Sequence, residues 1–310
     1  MIARTGGVIQ SLFIAGDWGT TRLRLALCDG AAILDRKDGP GIGALTVSAE
    51  ATFLSLIMDW RRIHGDLPAY LCGMVGSRNG WHEAPYAVCP ADPRSLRGSA
   101  LRFAVDGLDV AIVPGLTCSN PLGAPDVMRG EESQILGAIL LHPALSRGKH
   151  LLALPGTHTK WVALEEGSVQ RFMTTPTGEF FALLRAHSQL TKAAPDTQPA
   201  TPAGFVQGMA RGRETRGRAG LLQTLFETRT RQLIDGMKAE DAVGFLSGLL
   251  IGGDVDGALD CFGKPRLVHL IGDPALAALY AEALAGAGVA NEKLDGGDCA
   301  FAGLRAIFER

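Results

Sequence analysis

The sequence predicts an α/β protein of two domains facing a cleft, and three observations predict it. A plan of apolar run, Gly-Thr turn and second strand-like run occurs twice, at residues 12–28 (LFIAGDWGTTRLRLALC) and at residues 151–164 (LLALPGTHTKWVAL). Each copy opens a stretch in which strand and helix patterns alternate, as they do in α/β domains. With 310 residues the chain is long for one hydrophobic core, so two domains of roughly 130–170 residues are expected. We divide them as 1–140 and 141–310, with a C-terminal helix that can cross back to the first.

The elements follow in order. Residues 12–36 read as a three-strand meander: the leucines of 22–27 (RLRLAL) alternate with the period of a half-buried strand, Asp29-Gly30 is a hairpin turn, and 31–36 return. Residues 48–63 predict a helix capped by Ser48, with Phe53, Ile57 and Trp60 as its apolar stripe. A short buried strand at 69–74 runs into GMVGSRNGW, and 110–114 is another. Residues 130–141 (GEESQILGAILL) predict a helix with acidic residues in its first turn. The second half repeats the meander with strands at 151–154, 160–164 and 169–174 and turns at 156–159 and Glu166-Gly167. Three prolines make 193–202 an exposed loop, followed late in the chain by a strand at 267–271, a helix at 274–285 and a short terminal helix at 300–309.

Composition narrows the function. A net charge of −2 gives no basic field for nucleic acid or an anionic membrane. The basic run 211–218 (RGRETRGR) lacks interleaved aromatics and reads as a solvated face. Cys28, Cys72, Cys89, Cys118, Cys261 and Cys299 are scattered without a C-x-x-C pair, which disfavours structural zinc and a disulfide framework. The N-terminal apolar run is too short for a signal segment, and no run reaches 18 apolar residues. A cytoplasmic enzyme without membrane or nucleic-acid partners is expected, and a homodimer is compatible with it.

The motifs point to phosphate. Asp17 ends the first strand, where its carboxylate suits a hydrated Mg²⁺. Gly19, Thr20 and Thr21 offer N–H groups and hydroxyls to phosphate oxygens, and Gly156, Thr157, His158 and Thr159 do so in the second copy. Lys160 reads equally as added charge or as a solvated strand position. No G-x-x-x-x-G-K-[ST] occurs, and residues 39–43 (GPGIG) read as a loop. Glu131 and Glu132 either complement a helix dipole or supply a general base. Ser77, Arg78, Asn79 and Trp81 form a candidate site for a small acid, with Arg78 suited to a carboxylate. Gly178 and Glu179 either cap the following helix or face the cleft.

Through DWGTT and PGTHTKW the chain resembles the sugar-kinase/actin/heat-shock-70 ATPase superfamily. It resembles most the 2-dehydro-3-deoxygalactonokinase family, through DWGTTRLR, GMVGSRNGWHEAPYAVCPAD, DVMRGEESQILGA, LPGTHTKWV, TPTGEFFALLRAHSQL, GFLSGLLIG and LIGDP. The resemblance implies two ribonuclease-H-like (actin/hexokinase-type) domains. It implies ATP- and Mg²⁺-dependent phosphorylation of the C6 hydroxyl of 2-dehydro-3-deoxygalactonate, a step of galactonate catabolism. In that reading Asp17 holds the hydrated metal, both hairpins hold phosphates, and Gly272 and Asp273 lie by the adenosine. Relatives place an Asp of a Gly-Asp-Gln element at the helix start. Glu131 aligns with it, and Glu132 and Asp126 stay open as the base. Readings that remain beside this one are a kinase for the gluconate-derived epimer, an ATPase or polyphosphate hydrolase using water, and a sugar-acid sensor without turnover.

Overall fold

The computed structural model describes residues 12–192 and 199–308. Residues 193–198 of the expected loop, residue 309 of the expected terminal helix and the chain before Leu12 lie outside the described residues.

The first half runs β1 (Leu12–Trp18), β2 (Arg22–Asp29), β3 (Ala32–Pro40), α1 (Ala49–His64), β4 (Ala69–Gly73), β5 (Tyr86–Val88), α2 (Pro93–Ser99), β6 (Leu101–Val105), β7 (Leu108–Ile112), β8 (Gly115–Ser119), β9 (Pro125–Met128) and α3 (Glu131–Leu141). The second half runs β10 (Lys149–Leu154), β11 (Thr159–Glu165), β12 (Ser168–Thr175), α4 (Thr177–His187), α5 (Pro202–Thr215), α6 (Leu221–Leu225), α7 (Glu227–Ile234), α8 (Ala239–Phe262), β13 (Leu267–Gly272), α9 (Pro274–Gly286), β14 (Ala290–Asp295) and α10 (Gly296–Phe308). Ser48 caps α1 by accepting the Ala51 N–H, and Phe53, Ile57 and Trp60 are buried beneath it, as the stripe predicts.

The two main sheets share one order. Strands β3-β2-β1-β4-β7-β6 form the first and β12-β11-β10-β13-β14 the second. In each, the opening strand pairs antiparallel with the next strand and parallel with the strand after the first helical segment. An antiparallel meander extended by parallel strands is the arrangement of a ribonuclease-H-like domain, here present twice.

Helices α3 and α10 lie between the sheets. Their Ile135, Leu136, Phe301 and Leu304 join Ala15 and Cys72 from one sheet and Leu152 and Val162 from the other in a single apolar core. The helices cross at glycines: a Cβ on Gly137 would sit 1.7 Å from the Cys299 carbonyl oxygen, and one on Gly303 would sit 1.7 Å from that of Ser133. Only glycine permits this approach. The terminal helix therefore begins at Gly296, ahead of the expected residue 300.

Two regions escaped the sequence pattern. Strands β5, β8 and β9 form a small third sheet, and Ala91, just after β5, bridges to Val169 of β12. Helices α5 to α8 cover the outer face of the second sheet, with Phe205 and Val255 in its core. Helix α8 is long and apolar enough to cross a membrane by length and composition, and 78% of its apolar window is buried inside the fold. A helix apolar all round is a core helix here. The basic run on α5 and the turn after it is spent internally: Arg211 pairs with Glu214 and Glu227, and Arg213 and Arg216 reach Asp256 and Asp260.

Candidate active site

The first hairpin starts at Asp17, which lies across from Arg24 in the β1–β2 register. Arg24 Nη1 is 3.6 Å from Asp17 Oδ2. Burial pushes the Asp17 carboxyl upward, Arg24 opposes that rise, and Glu131 adds to it. Main chain holds the turn in place: the Gly19 N–H donates to Arg22 O (3.0 Å), Ile42 N–H to Gly19 O (3.0 Å) and Gly43 N–H to Thr20 O (2.9 Å). Trp18 Nε1–H donates to Pro40 O at 3.0 Å. The 39–43 loop thus braces the hairpin. Gly19 and Thr20 line the cleft, whereas Thr21 is exposed outside the lining.

The second hairpin repeats the plan with Leu154 across from Lys160. Gly156, Thr157, His158 and Lys160 line the cleft. Strand alternation turns Thr159 away: its hydroxyl bonds Tyr280 OH at 2.7 Å in the core. Beneath the hairpin, buried Asp254 accepts four hydrogen bonds. Trp161 Nε1–H (2.8 Å) and Thr175 Oγ1–H (2.8 Å) reach its Oδ1, and Thr177 Oγ1–H (2.7 Å) and Tyr280 O–H (2.6 Å) its Oδ2. Gly178 packs on the turn, since an added Cβ would lie 2.4 Å from Gly156 O. The Glu179 N–H donates to Thr157 O at 2.9 Å, and its carboxylate lies 2.9 Å from His158 Nε2. Gly178 and Glu179 thus brace the second hairpin rather than sit with residues 77–81.

At the start of α3, Gly130 (φ 108°) stands against Gly73 (φ 92°), which brings the helix end to the tip of β4. Glu131 Oε2 accepts the Arg129 N–H at 3.1 Å, and its Oε1 is 3.6 Å from Lys160 Nζ across the cleft. Glu132 is buried. Its Oε2 accepts the Gly130 N–H at 2.6 Å, and its Oε1 has no partner among the described residues. Burial, with the neighbouring Glu131 charge, pushes its carboxyl up to about 8. Asp126 is held by Thr174, whose N–H (2.8 Å) and hydroxyl (2.6 Å) both donate to it, and it lies outside the lining. Of the three candidate bases, Glu131 is the one that lines the cleft with Asp17.

The candidate acid-binding segment divides. Gly73 and Met74 line the cleft, but residues 77–81 do not. Arg78 and Asn79 are exposed, Ser77 Oγ is buried, and Trp81 packs with Trp18, Phe53 and Phe103. The arginine that does line the cleft here is Arg129, its guanidinium 4.4 Å from the Tyr86 ring centroid and donating from Nη2 to Ala84 O at 2.9 Å. On the other wall, Gly272 and Asp273 line the cleft, and Asp273 caps α9 by accepting the Ala275 (2.9 Å) and Leu276 (3.1 Å) N–H groups.

The cleft holds about 680 Å³, within the range of about 300–1,000 Å³ usual for small-molecule sites. A smaller apolar slot of about 90 Å³ shares Gly156 with it and is lined by Phe181, Leu250, Ile251, Leu276 and Leu279. Sequence reasoning missed Arg24, Arg129 and Asp254 and left Lys160 undecided. A signal existed for one of them: Asp254 directly follows residues 242–253 of α8, a run without a single charge.

Comparison with known proteins agrees with the geometry. A sequence profile of the 2-keto-3-deoxy-galactonokinase family matches residues 17–307. The chain is 38% identical over 298 residues to a probable 2-dehydro-3-deoxygalactonokinase of Rhizobium meliloti (strain 1021), covering 95% of each chain. It is 36% identical to the 2-dehydro-3-deoxygalactonokinase of Escherichia coli (strain K12), covering 95% of this chain and 97% of that one. A solved structure described as a 2-dehydro-3-deoxygalactonokinase protein of Sinorhizobium meliloti superposes with a TM-score of 0.85 at 35% identity, over 96% of this chain and 100% of that one. An activator of 2-hydroxyisocaproyl-CoA dehydratase from Clostridium difficile superposes with a TM-score of 0.50 at 10% identity, over 95% of this chain and 93% of that one, a likeness of fold alone.

Proposed function

We propose a function from one premise: the chain belongs to the 2-keto-3-deoxy-galactonokinase family. It is a sugar-acid kinase that uses ATP to phosphorylate 2-dehydro-3-deoxy-D-galactonate. The acceptor is the C6 hydroxyl, and the products are 2-dehydro-3-deoxy-6-phosphogalactonate and ADP, in cytoplasmic galactonate catabolism. The observation that carries this reading is that both Gly-Thr hairpins and Glu131 line a single cavity.

In this reading the N–H groups of the two hairpins bind the polyphosphate from opposite sides. Glu131 takes the proton of the attacking hydroxyl. The hydroxyl oxygen bonds to the terminal phosphorus as the bond to the bridging oxygen breaks, leaving that electron pair on ADP. We assign the substrate carboxylate to Arg129, which lines the cleft, in preference to Arg78, which is exposed outside it. The apolar slot beside Gly156 takes the adenine, next to Gly272 and Asp273. Residues 1–140 carry the acceptor side and 141–310 the nucleotide side.

The residues present fit Mg²⁺. Among the described residues no three metal-ligating side chains cluster, and Asp17 is a single partly exposed carboxylate at the cleft. That donor set suits a cation that keeps most of its waters and shares phosphate oxygens. Asp17 would hold it, and the metal would supply neutralisation of phosphate charge.

A coupled assay of ADP release across keto-deoxy sugar acids tests the function. Turnover is expected with 2-dehydro-3-deoxygalactonate and should be slower with the gluconate-derived epimer. ADP release that does not depend on any sugar acid would sink the kinase reading.

A further inference from the structure

The stem of Lys160 is buried while its ammonium opens on the cleft, where it makes no hydrogen bond among the described residues. A lysine is almost never buried without a partner, and this one has an incomplete partner. Its ammonium lies 3.6 Å from Glu131 Oε1, beyond the 2.7–3.2 Å of an N–H···O bond, which leaves donors unused. The strand dictates the position. Thr159 and Trp161 turn toward Tyr280 and Asp254, so Lys160 between them faces the other way, toward α3 and the cavity.

The surrounding charges are committed elsewhere. Asp273 caps α9, Asp295 Oδ1 accepts the Asp298 N–H, and His158 is engaged by Glu179. Arg24 differs in kind rather than in distance: it too is 3.6 Å from its carboxylate, but that carboxylate, Asp17, stands opposite it on its own hairpin. Lys160 has no carboxylate opposite it on its hairpin, because Leu154 stands there. Its counter-charge is Glu131 on the facing wall. A pair with this separation and a partly exposed carboxylate is a poor stabiliser, since solvent in the cleft screens the attraction. A terminal phosphoryl group carries more negative charge than one carboxylate and offers three acceptor oxygens.

We propose that Lys160 is a catalytic residue that leaves Glu131 for the terminal phosphoryl group of bound ATP, and that this exchange frees the Glu131 carboxylate to take the acceptor proton. The inference rests on the kinase reading above. The ammonium keeps its protons throughout and donates hydrogen bonds to the phosphoryl oxygens. The hydroxyl proton goes to Glu131, the new O–P bond forms at the acceptor, and the electron pair of the broken bond leaves on ADP. Until ATP arrives, Glu131 is held by the lysine.

The test compares Lys160→Met and Lys160→Arg with the wild type, by steady-state turnover and by calorimetric titration with ADP and with a non-hydrolysable ATP analogue, both with Mg²⁺. For Lys160→Met, kcat should fall roughly 10²–10³-fold. Affinity for the analogue should fall about tenfold or more while ADP affinity stays within about threefold, since only the analogue carries the third phosphate. Lys160→Arg, which keeps the charge and tests the same contact if the Met variant folds poorly, should retain most of the analogue-over-ADP preference. Equal loss of ADP and analogue affinity, or a kcat within about threefold of wild type, overturns the assignment. In Glu131→Gln/Lys160→Met the losses should fall well short of the product of the single effects, because the two residues act as a unit. Multiplicative losses would refute the exchange. The nucleotide titrations are independent of the acceptor: an enzyme inert toward every keto-deoxy acid loses its proposed function, while the ADP-versus-analogue comparison still decides the role of Lys160.

Discussion

Arg24 stands across from Asp17 in the first hairpin, and Lys160 stands across from Leu154 in the second. The main-chain plan around them is shared. Gly73 meets Gly130 in one half and Gly272 meets Gly296 in the other, each where a strand tip meets a helix start. The side chains are not shared. After its glycine α3 carries Glu131 and Glu132, whereas α10 carries Gly297 and Asp298. The first hairpin is braced by main-chain hydrogen bonds and the second by a buried carboxylate, Asp254. The difference teaches that two alike folds can set unlike side chains at matching points of one shared cleft.

The sharpest test of that asymmetry sets Glu131→Gln against Asp298→Asn. Under the proposed function, loss of the Glu131 carboxylate should lower kcat by roughly 10²–10⁴-fold, with ADP affinity little changed. Asp298 is a surface group paired with Arg36 at 3.5 Å, so its substitution should leave kcat nearly unchanged and stability within about 0.5 kcal/mol. Comparable effects on turnover in steady-state assays would break the comparison.

The next test concerns the braces. Asp254→Ala orphans the donors of Trp161, Thr175, Thr177 and Tyr280. An unsatisfied buried donor costs about 1–3 kcal/mol, so a loss of roughly 3 kcal/mol or more is expected even after water enters. Tm should drop by roughly 6 °C or more. Trp18→Phe removes one hydrogen bond to Pro40 O and leaves a small cavity where the buried indole stood, and should cost about 2–3 kcal/mol. Calorimetric unfolding of both variants gives the ratio.

These contrasts also show what could be read from sequence. Both meanders, both Gly-Thr turns and the α1 stripe were legible because period-two alternation, turn chemistry and capping are local. Asp17, Gly19, Thr20, Gly156, Thr157 and Glu131 lie at the ends of such elements and line the cleft. Helix α8 was not legible, since a helix buried on every side has no polar face to reveal its period. Strand β5, only three residues long, is too short to show alternation. Lys160 was undecidable because its burial depends on Glu131 and α3 in the other half of the chain. The same limit applied to arginine: Arg78 lies in the more suggestive motif, but the fold places Arg129 at the cavity.

Where α3 and α10 cross, the halves agree, so matched substitutions should have matched effects. Gly137→Ala and Gly303→Ala each push a methyl group into the facing carbonyl. Each should destabilise by about 1–3 kcal/mol as the helices separate. A large difference between the two denaturation midpoints would show that the crossing is less symmetric than its contacts.

Glu132 and Asp298 occupy the third position of the Gly-Glu-Glu and Gly-Gly-Asp starts, and pH separates them. The Glu132 carboxyl is raised from about 4.5 to about 8 by burial and by Glu131. Between those values the folded chain holds a proton that the unfolded chain has released, so this contribution to stability is fully present below the lower value. It is lost as pH rises through the higher one, with a slope approaching about 1.4 kcal/mol per pH unit. Glu132→Gln removes the titrating group while preserving an acceptor for the Gly130 N–H. Relative to wild type, this variant should therefore gain stability from pH 5 to pH 8 and level off above. Asp298→Asn, at a surface position, should follow the wild-type curve at a nearly constant offset. Urea unfolding at four pH values checks both. Parallel curves for Glu132→Gln and wild type would mean that Glu132 is ionised in the fold, and the chemical distinction between the two helix starts would then rest on Glu131 alone.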